Sequence, residues 1–404
     1  MKTVRIFEMF AGIGSQYKAC KNIQKKLNVK VESVGACEWY IDAIIGYMII
    51  HYGNTTPELE LSRETMCDLL SNYSFSADSK HLLRKKYFSK MKLEKLQNYF
   101  PYLYGFVNNE YFAKKWPSKQ KVEFLGGGGK CHTTNIKELN ILPKNIDILT
   151  YSFPCQDISQ QGIRKGINEN TRSGLLYEVE RILKLNKDNL PKVLLLENVK
   201  ALTNKLFIED FNKWLTALEK LGYKSIWKVV NSTDYGSCQN RERVFCISYL
   251  DRQKDFCFPK PLKIKRQLNS IIKNDEDMIE CNHLLEYLNN DFRVTQNNIT
   301  KTRLDHKYTT FNSEAYVYLP KGYGPTLTAS GANSRLKFYF QETNELKYIS
   351  PRQAFLYMGF NKRDYLSIAK QNLLNDSKLL FLCGNSISVE VLEALFKEVI
   401  LCLI

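Results

Sequence analysis

The sequence predicts an α/β protein whose parallel sheet is wrapped by helices on both faces, and two patterns carry that expectation. Short apolar runs bounded by turn residues recur at residues 4–10, 31–39, 146–149, 193–196, 224–230 and 244–248. Near-continuous apolar runs are what strands covered on both faces require. Between them, Leu175, Leu176, Val179, Ile182 and Leu183 recur at helical spacing, as do Trp214, Leu215, Leu218 and Leu221, which marks amphipathic helices packed on that sheet. A chain of 404 residues accommodates two or three domains at the usual ~100–200 residues each.

Taken in order, the strand at 4–10 gives way to a turn at Gly12 and Gly14, a basic helix over 17–27 and a second strand at 31–39. An insert of about residues 55–130 then interrupts the rhythm. Within it, residues 80–130 hold 12 Lys/Arg against 3 Asp/Glu, so +9 of the net +16 lies there, interleaved with Tyr, Phe and Trp. That stretch reads either as a nucleic-acid face or as a solvated basic helix. "GGGGKC" (126–131) is read as a flexible loop, because Phe124 and Cys131 stand where a phosphate loop needs Gly and Ser/Thr. From 252 to 345 the strand–helix alternation is lost among short polar runs, which predicts a smaller irregular domain. Past 350 helices return, with Leu392, Leu395, Phe396 and Val399 on one face, and the end of the chain is expected to pack back on the first sheet.

Composition removes several classes. With 44% apolar and 12% aromatic residues, disorder is excluded. No run approaches the ~18–20 apolar residues that cross a bilayer, and the first residues read as a strand instead of a signal peptide, so a cytoplasmic protein with no membrane partner is expected. Eleven cysteines show no C-x-x-C and five histidines no H-E-x-x-H. Neither a disulfide framework nor a metal site is predicted. The basic balance favours a polyanion such as nucleic acid.

Five motifs carry chemistry. "FEMFAGIGSQ" (7–16) follows a strand and opens a helix, but Tyr17 occupies the third glycine place of a dinucleotide fingerprint, so a pyrophosphate is not indicated. Glu38 in "CEWY" ends the second strand, where a carboxylate accepts from ribose hydroxyls, and Trp39 is placed to stack on a base. A nucleoside-bearing ligand without pyrophosphate fits these parts, and S-adenosylmethionine is one. Cys155 in "SFPCQ" sits at the C-terminal end of a buried strand, where open α/β sheets bind ligands, and is a candidate nucleophile. Glu197 ends another apolar strand in "LLLENV", where an uncharged residue would be cheaper to bury. In "QNRERVF" Arg241 and Arg243 are two apart on an extended chain, a spacing that points both the same way.

These elements together resemble the DNA (cytosine-5) methyltransferases over nearly the whole chain. The F-x-G-x-G element at 10–14, "SFPCQ" at 152–156, "ENV" at 197–199, Q-x-R-x-R at 239–243, "PRQAFLYMGF" at 351–360 and "GNSISVEVLEAL" at 384–395 stand in the family's order. The [DNS]-P-P-[YFW] element of amino-methyltransferases is missing. The resemblance implies a Rossmann-like methyltransferase sheet in a catalytic domain at 1–251, a target-recognition domain at 252–345, and C-terminal helices at 346–404 that return to the catalytic domain.

It also implies roles. Cys155, as thiolate, would add to carbon 6 of cytosine; Glu197, protonated, would donate to N3, a role that needs its carboxyl pKa raised by burial. Arg241 and Arg243 would hold the base and its carbonyl oxygen. Phe10, Gly12, Gly14, Glu38, Trp39, Asn135, Ile136, Leu175, Asn385 and Ser386 match cofactor-contacting positions. Asn135 stands where the family has an acid, so it could accept from the adenine amino group only through its amide oxygen. The cofactor is S-adenosylmethionine, with S-adenosylhomocysteine as product and no metal. The cytosine must be flipped out of the duplex, and the loop at 156–174 would close over it, with Ser159 and Gln161 touching DNA. Thr326 matches the recognition region's Thr-Leu element, and Arg335 or Lys337 would reach phosphates or guanine edges. In "FNSEAYVY" and "GPTLTASGANSR" the chain is most similar to small bacterial enzymes that methylate CG. The expected setting is a monomer on double-stranded DNA at the bacterial nucleoid, with room for a cognate restriction endonuclease. An RNA cytosine-5 methyltransferase and a silent DNA-binding protein on the same scaffold are the alternatives. The ninety-odd residues at 252–345 disfavour the first, and the presence of Cys155, Glu197 and Arg243 disfavours the second.

Overall fold

The computed structural model describes residues 1–117, 132–154, 174–250, 256–263 and 265–403. They form two compact units, one of residues 1–230, 242–259 and 395–404 and the other of residues 231–241 and 260–394.

In the first unit, β1 (Lys2–Met9) leads to α1 (Ser15–Ile23), β2 (Val29–Cys37) and α2 (Ile41–Tyr52). The insert contributes α3 (Arg63–Ser71), α4 (Leu93–Val107) and α5 (Asn109–Lys115). Then come β3 (Ile148–Tyr151), α6 (Leu175–Leu185), β4 (Val193–Val199), α7 (Ile208–Lys220), β5 (Lys224–Asn231) and β6 (Glu242–Tyr249). The sheet order is β2-β1-β3-β4-β6-β5. β2, β1, β3 and β4 are parallel, as expected, and side chains from both sheet faces are buried. β6 runs antiparallel to β4, which corrects the all-parallel expectation. β5, read as a covered strand, is the edge strand, and Lys224, Trp227 and Lys228 are exposed. The helix expected over 17–27 runs instead over Ser15–Ile23, and turns carry the chain through left-handed Asn28 (φ 52°) to β2.

Several aromatic residues of the insert are core. Phe100 stacks on Tyr104, Phe112 on Trp116 and Phe106 on His132, and Phe100, Tyr102, Phe106, Phe112 and Trp116 are buried. These buried rings are therefore no stacking platform for bases. Arg84, Lys85, Lys86 and Lys90 do stay exposed. The glycine run at 126–131 lies outside the described residues.

The second unit holds β7 (Ile279–Glu280), β8 (Arg293–Val294), β9 (Ile299–Arg303), α8 (Asn312–Ala315), β10 (Tyr316–Gly322), β11 (Lys337–Phe340) and β12 (Glu345–Tyr348). These short strands make a second sheet, ordered β7-β12-β11-β10-β9-β8, over a small core that includes Cys281, Leu284, Leu304, Val317 and Leu346. α9 (Pro351–Tyr357), α10 (Lys362–Ala369) and α11 (Asp376–Asn385) belong to this unit, and α12 (Val389–Leu403) runs on from it. Contrary to the sequence reading, the helical stretch Asp376–Leu403 is long and apolar enough to cross a membrane by length and composition, but 72% of its most apolar window is buried inside the protein.

Candidate active site

Four parallel strands deliver their C-terminal ends to one edge of the first sheet, where open α/β sheets place ligands. At the end of β1 the backbone turns sharply: Phe10 (φ 56°), Gly12 (φ 57°) and Gly14 (φ 75°) are all left-handed. Such a φ is uncommon for a phenylalanine and marks a conformation imposed by its surroundings. The turn brings the Gly12 N–H to Glu38 Oε2 at 2.8 Å, while Oε1 accepts from Trp39 and Tyr40 N–H, both at 2.8 Å. Burial outweighs these donors and pushes the Glu38 carboxyl above the usual range. A Cβ at Gly12 would meet no heavy atom within 4 Å, so the space above the loop is open. Phe10 and Trp39 are partly exposed beside it.

The third wall follows His132. Thr133 pairs with the end of β2 through Glu38 N–H to Thr133 O (3.1 Å) and Thr133 N–H to Ala36 O (3.0 Å). The chain then makes a single helical turn, Ile136–Glu138, capped by Asn135. Ile136 is buried in the same core that Leu175, first residue of α6, packs against. Asn135 has local partners. Its amide oxygen accepts the Lys137 N–H at 3.1 Å and its NH2 donates to Glu138 Oε1 at 2.9 Å, so the side chain is engaged in capping its own turn. The insert joins these walls: Ser76 N–H donates to Trp39 O (2.8 Å), Ile41 N–H to Ser76 O (2.9 Å), and Ser74 Oγ to Glu138 Oε1 (2.7 Å).

At the ends of β3 and β4, Glu197 is held from two sides. Ser152 Oγ donates to its Oε2 at 2.6 Å, and Arg243 Nε lies 3.3 Å from its Oε1. Glu197 is 5% exposed. The antiparallel register places Arg243 opposite Val199, two residues past Glu197, within side-chain reach of the carboxyl. Asn198 Nδ2 donates to Phe153 O at 3.1 Å, tying the "ENV" segment to "SFPCQ". Cys155, Ser159 and Gln161 lie outside the described residues.

Arg241 does not share these partners, which corrects the expectation that both arginines point one way. It belongs to the second unit, where its guanidinium donates to Leu327 O (2.7 Å), Gly384 O (3.2 Å) and Ser386 O (3.1 Å). Alternation failed because β6 begins at Glu242, so Arg241 precedes the strand. Gly384 permits the approach that Arg241 joins, since a Cβ there would lie 2.2 Å from the Thr328 carbonyl carbon. Thr326 Oγ1 donates to Asn240 O at 2.7 Å, and Ser386 Oγ to Leu382 O at 2.8 Å. Asn385 is exposed. Arg335 is also exposed, with Ser377 Oγ at 3.3 Å. Lys337 is buried, its Nζ 2.7 Å from Glu314 O and 3.1 Å from Glu314 Oε1, and is withdrawn as a phosphate contact.

Sequence reasoning missed Ser152, although it lies in a motif that was singled out, and it missed Glu8, Tyr47 and His51 beneath the glycine loop. Glu8 carried a legible signal. It is an acid inside an apolar strand, the same anomaly that identified Glu197.

Comparison with known proteins agrees with this geometry. Residues 112–401 match the family model described as C-5 cytosine-specific DNA methylase. The orphan methyltransferase M.SssI of Spiroplasma monobiae is 42% identical over 98% of this chain and 97% of its own, and the type II methyltransferase M2.ScrFI of Lactococcus lactis subsp. cremoris 31% identical over 98% of each. Among solved structures, S. pombe Dnmt2 superposes with a TM-score of 0.56 at 14% identity, covering 100% of this chain and 99% of its own, which supports the fold alone. With the glycine turn, the Glu197–Arg243 ion pair and these matches in hand, the chain belongs to the C-5 cytosine-specific DNA methylases.

Proposed function

We propose that this DNA cytosine-5 methyltransferase uses S-adenosylmethionine to methylate carbon 5 of a flipped cytosine, within CG, through a covalent bond to Cys155. The observation that carries the catalytic half is Glu197, a buried carboxyl fixed by Ser152 and Arg243 at the strand edge that also bears the open glycine turn.

The residues at that turn fit the cofactor. Glu38, preorganised by three backbone N–H groups, retains acceptor capacity for ribose hydroxyls. Phe10, Trp39, Ile136 and Leu175 supply apolar surface for an adenine, and Gly12 leaves its approach clear. Asn385 and Ser386 are proposed as further contacts on the strength of the family motif. The cofactor supplies an electrophilic methyl on a sulfonium.

The chain's residues make the cytosine able to accept it. The Cys155 thiolate adds to carbon 6, and Glu197 delivers a proton to N3, so the negative charge that enters the ring is neutralised as it forms. The C4–C5 side becomes enamine-like, and carbon 5 takes the methyl. Loss of the carbon 5 proton to solvent then lets the thiolate leave, and N3 returns its proton to the Glu197 carboxylate, which restores the aromatic ring and the acid. Arg243 orients Glu197 and is placed to stabilise the base's carbonyl oxygen. Arg241 is proposed to act at one remove, by fixing the Thr326–Leu327 backbone. Ser159, Gln161, Thr326 and Arg335 are proposed DNA contacts, and base extrusion would cost a few kcal/mol. We further propose a monomer acting on cytoplasmic DNA, with or without a cognate endonuclease.

Base-resolution mapping of a plasmid treated with the purified protein and S-adenosylmethionine tests this reading. Methyl groups at carbon 5 of CG cytosines are expected, and none with Cys155→Ala. Methylation of adenine, or of cytosine by the Cys155→Ala variant, would overturn it.

A further inference from the structure

The glycine turn has an open side and an occupied side, and the occupied side is built from buried polar groups that the reaction does not use. Gly14 is the N-cap of helix α1 and has no side chain to cap the helix's first N–H groups. Those groups need partners when buried. Glu8, fully buried in β1, provides one: its Oε1 accepts the Tyr17 N–H at 3.0 Å, three residues past the cap. Its Oε2 accepts the hydroxyl of Tyr47 on α2 at 2.8 Å.

One turn further along α2, His51 Nε2 lies 3.1 Å from Ile13 O, the carbonyl between the two glycines. A carbonyl only accepts, so Nε2 carries the proton in this contact. Burial holds His51 down to about 3, which keeps the ring neutral near pH 7 with that single N–H donor. Tyr17 and Tyr47 pack on the same ring, with centroids at 5.0 and 4.5 Å. The fit leaves no slack: a Cβ at Gly14 would come within 2.2 Å of His51 Nε2 and 2.7 Å of Tyr47 Cε2. At Gly12, two residues earlier, the same test meets nothing within 4 Å.

From this asymmetry we infer that Glu8, Tyr47 and His51 are positioning residues, a buried cradle that sets the backbone conformation of residues 10–14 and through it the affinity for the nucleoside-bearing cofactor. The inference rests on the proposed cofactor pocket and adds to it a set of residues that never touch the ligand. The cradle acts through three backbone points: the Tyr17 N–H, the Ile13 carbonyl and the Gly14 Cα. Losing one of them frees the turn to leave the conformation in which the Gly12 N–H meets Glu38. Cofactor binding then has to restore that conformation, so affinity falls while the chemistry at Glu197, on other strands, is untouched.

Calorimetric titration of the full-length protein with S-adenosylhomocysteine, alongside steady-state kinetics, tests this. His51→Leu keeps an apolar side chain but leaves the Ile13 carbonyl without its donor, and a buried group left unpaired predicts about a tenfold rise in Kd. KM for the methyl donor should rise in parallel, with kcat at saturating donor and KM for duplex within about twofold of wild type. His51→Gln restores an N–H donor and should recover affinity, and Tyr47→Phe, which keeps the ring, should weaken binding by a smaller factor. If His51→Leu does not fold, Kd and melting temperature remain readable in Tyr47→Phe and His51→Gln, and the weaker binding expected of Tyr47→Phe alone carries the test. Unchanged Kd in Tyr47→Phe and in every folded His51 variant, with only melting temperature altered, would show a structural core and overturn the cradle. Failure of the wild-type protein to bind S-adenosylhomocysteine would instead remove the pocket assignment, and the cradle's function with it.

Discussion

Two glutamates of the first sheet are buried to nearly the same degree and are built for different work. Glu8, in β1, faces a backbone N–H and a phenol. Burial pushes its carboxyl up to about 7. Glu197, near the C-terminal end of β4, faces a guanidinium and a hydroxyl, at the edge where ligands bind. Burial alone therefore does not mark a reacting group. In the proposed mechanism, position along the strand and the charge of the partner separate a carboxyl that shapes a loop from one that meets a substrate.

The strongest way to break this comparison is to neutralise each carboxyl by amide. Glu197→Gln should lower kcat by roughly 10²–10⁴, the usual contribution of a positioned general acid, with S-adenosylhomocysteine affinity little changed. Glu8→Gln should show the reverse, weaker cofactor binding with kcat largely kept. Equal loss of kcat in both would erase the distinction.

Acid titration sharpens it next. His51 and His132 are held down to about 3 by burial, while Glu8 is raised to about 7. The histidines' contribution is present above 6.5 and lost as pH falls toward 3, because the unfolded chain binds their protons first. Glu8 works oppositely, its contribution being present below 4.5 and lost as pH rises through 7. Between pH 4.5 and 6.5 two histidine protons oppose one carboxyl proton, so these groups together raise stability by about 1.4 kcal/mol per pH unit. Melting temperature should climb across that window and level off near 6.5. His132→Phe should flatten the climb, and a wild-type profile already flat would count against buried neutral histidines.

The smallest effect belongs to Ser152→Ala. Arg243 still holds Glu197 in that variant, so losing one hydrogen bond of ~1 kcal/mol should cost about fivefold in kcat, with cofactor affinity unaltered. A drop as large as that of Glu197→Gln would make Ser152 part of the proton transfer itself.

What could be read ahead of the structure follows from how far each signal is local. The four parallel strands were legible because doubly covered strands are nearly all apolar, and Glu197 because an acid among leucines is an anomaly. Direction is not written in such a run, so the antiparallel β6 was not foreseen. The second sheet escaped because its strands are two to seven residues long, too short for alternation to register. Arg241 and Arg243 show the limit of spacing arguments: alternation holds only within a strand, and the strand begins between them. Asn135 shows a role that spacing did not announce, since its side chain caps the turn that follows it, a preference visible in "TTNIKEL". The polar cradle beneath the glycine turn depends on α2 meeting β1 and α1, a tertiary contact that no single segment announces.

The central claim is that a sulfur at position 155 bonds transiently to the cytosine ring. A CG duplex with 5-fluorocytosine at the target, incubated with the protein and S-adenosylmethionine, tests it most directly, because fluorine cannot leave carbon 5 as a proton does. The account predicts a denaturant-stable protein–DNA adduct whose linked peptide contains Cys155 and which disappears in Cys155→Ala. An adduct mapped to another residue, or methyl transfer with no adduct at all, would contradict it.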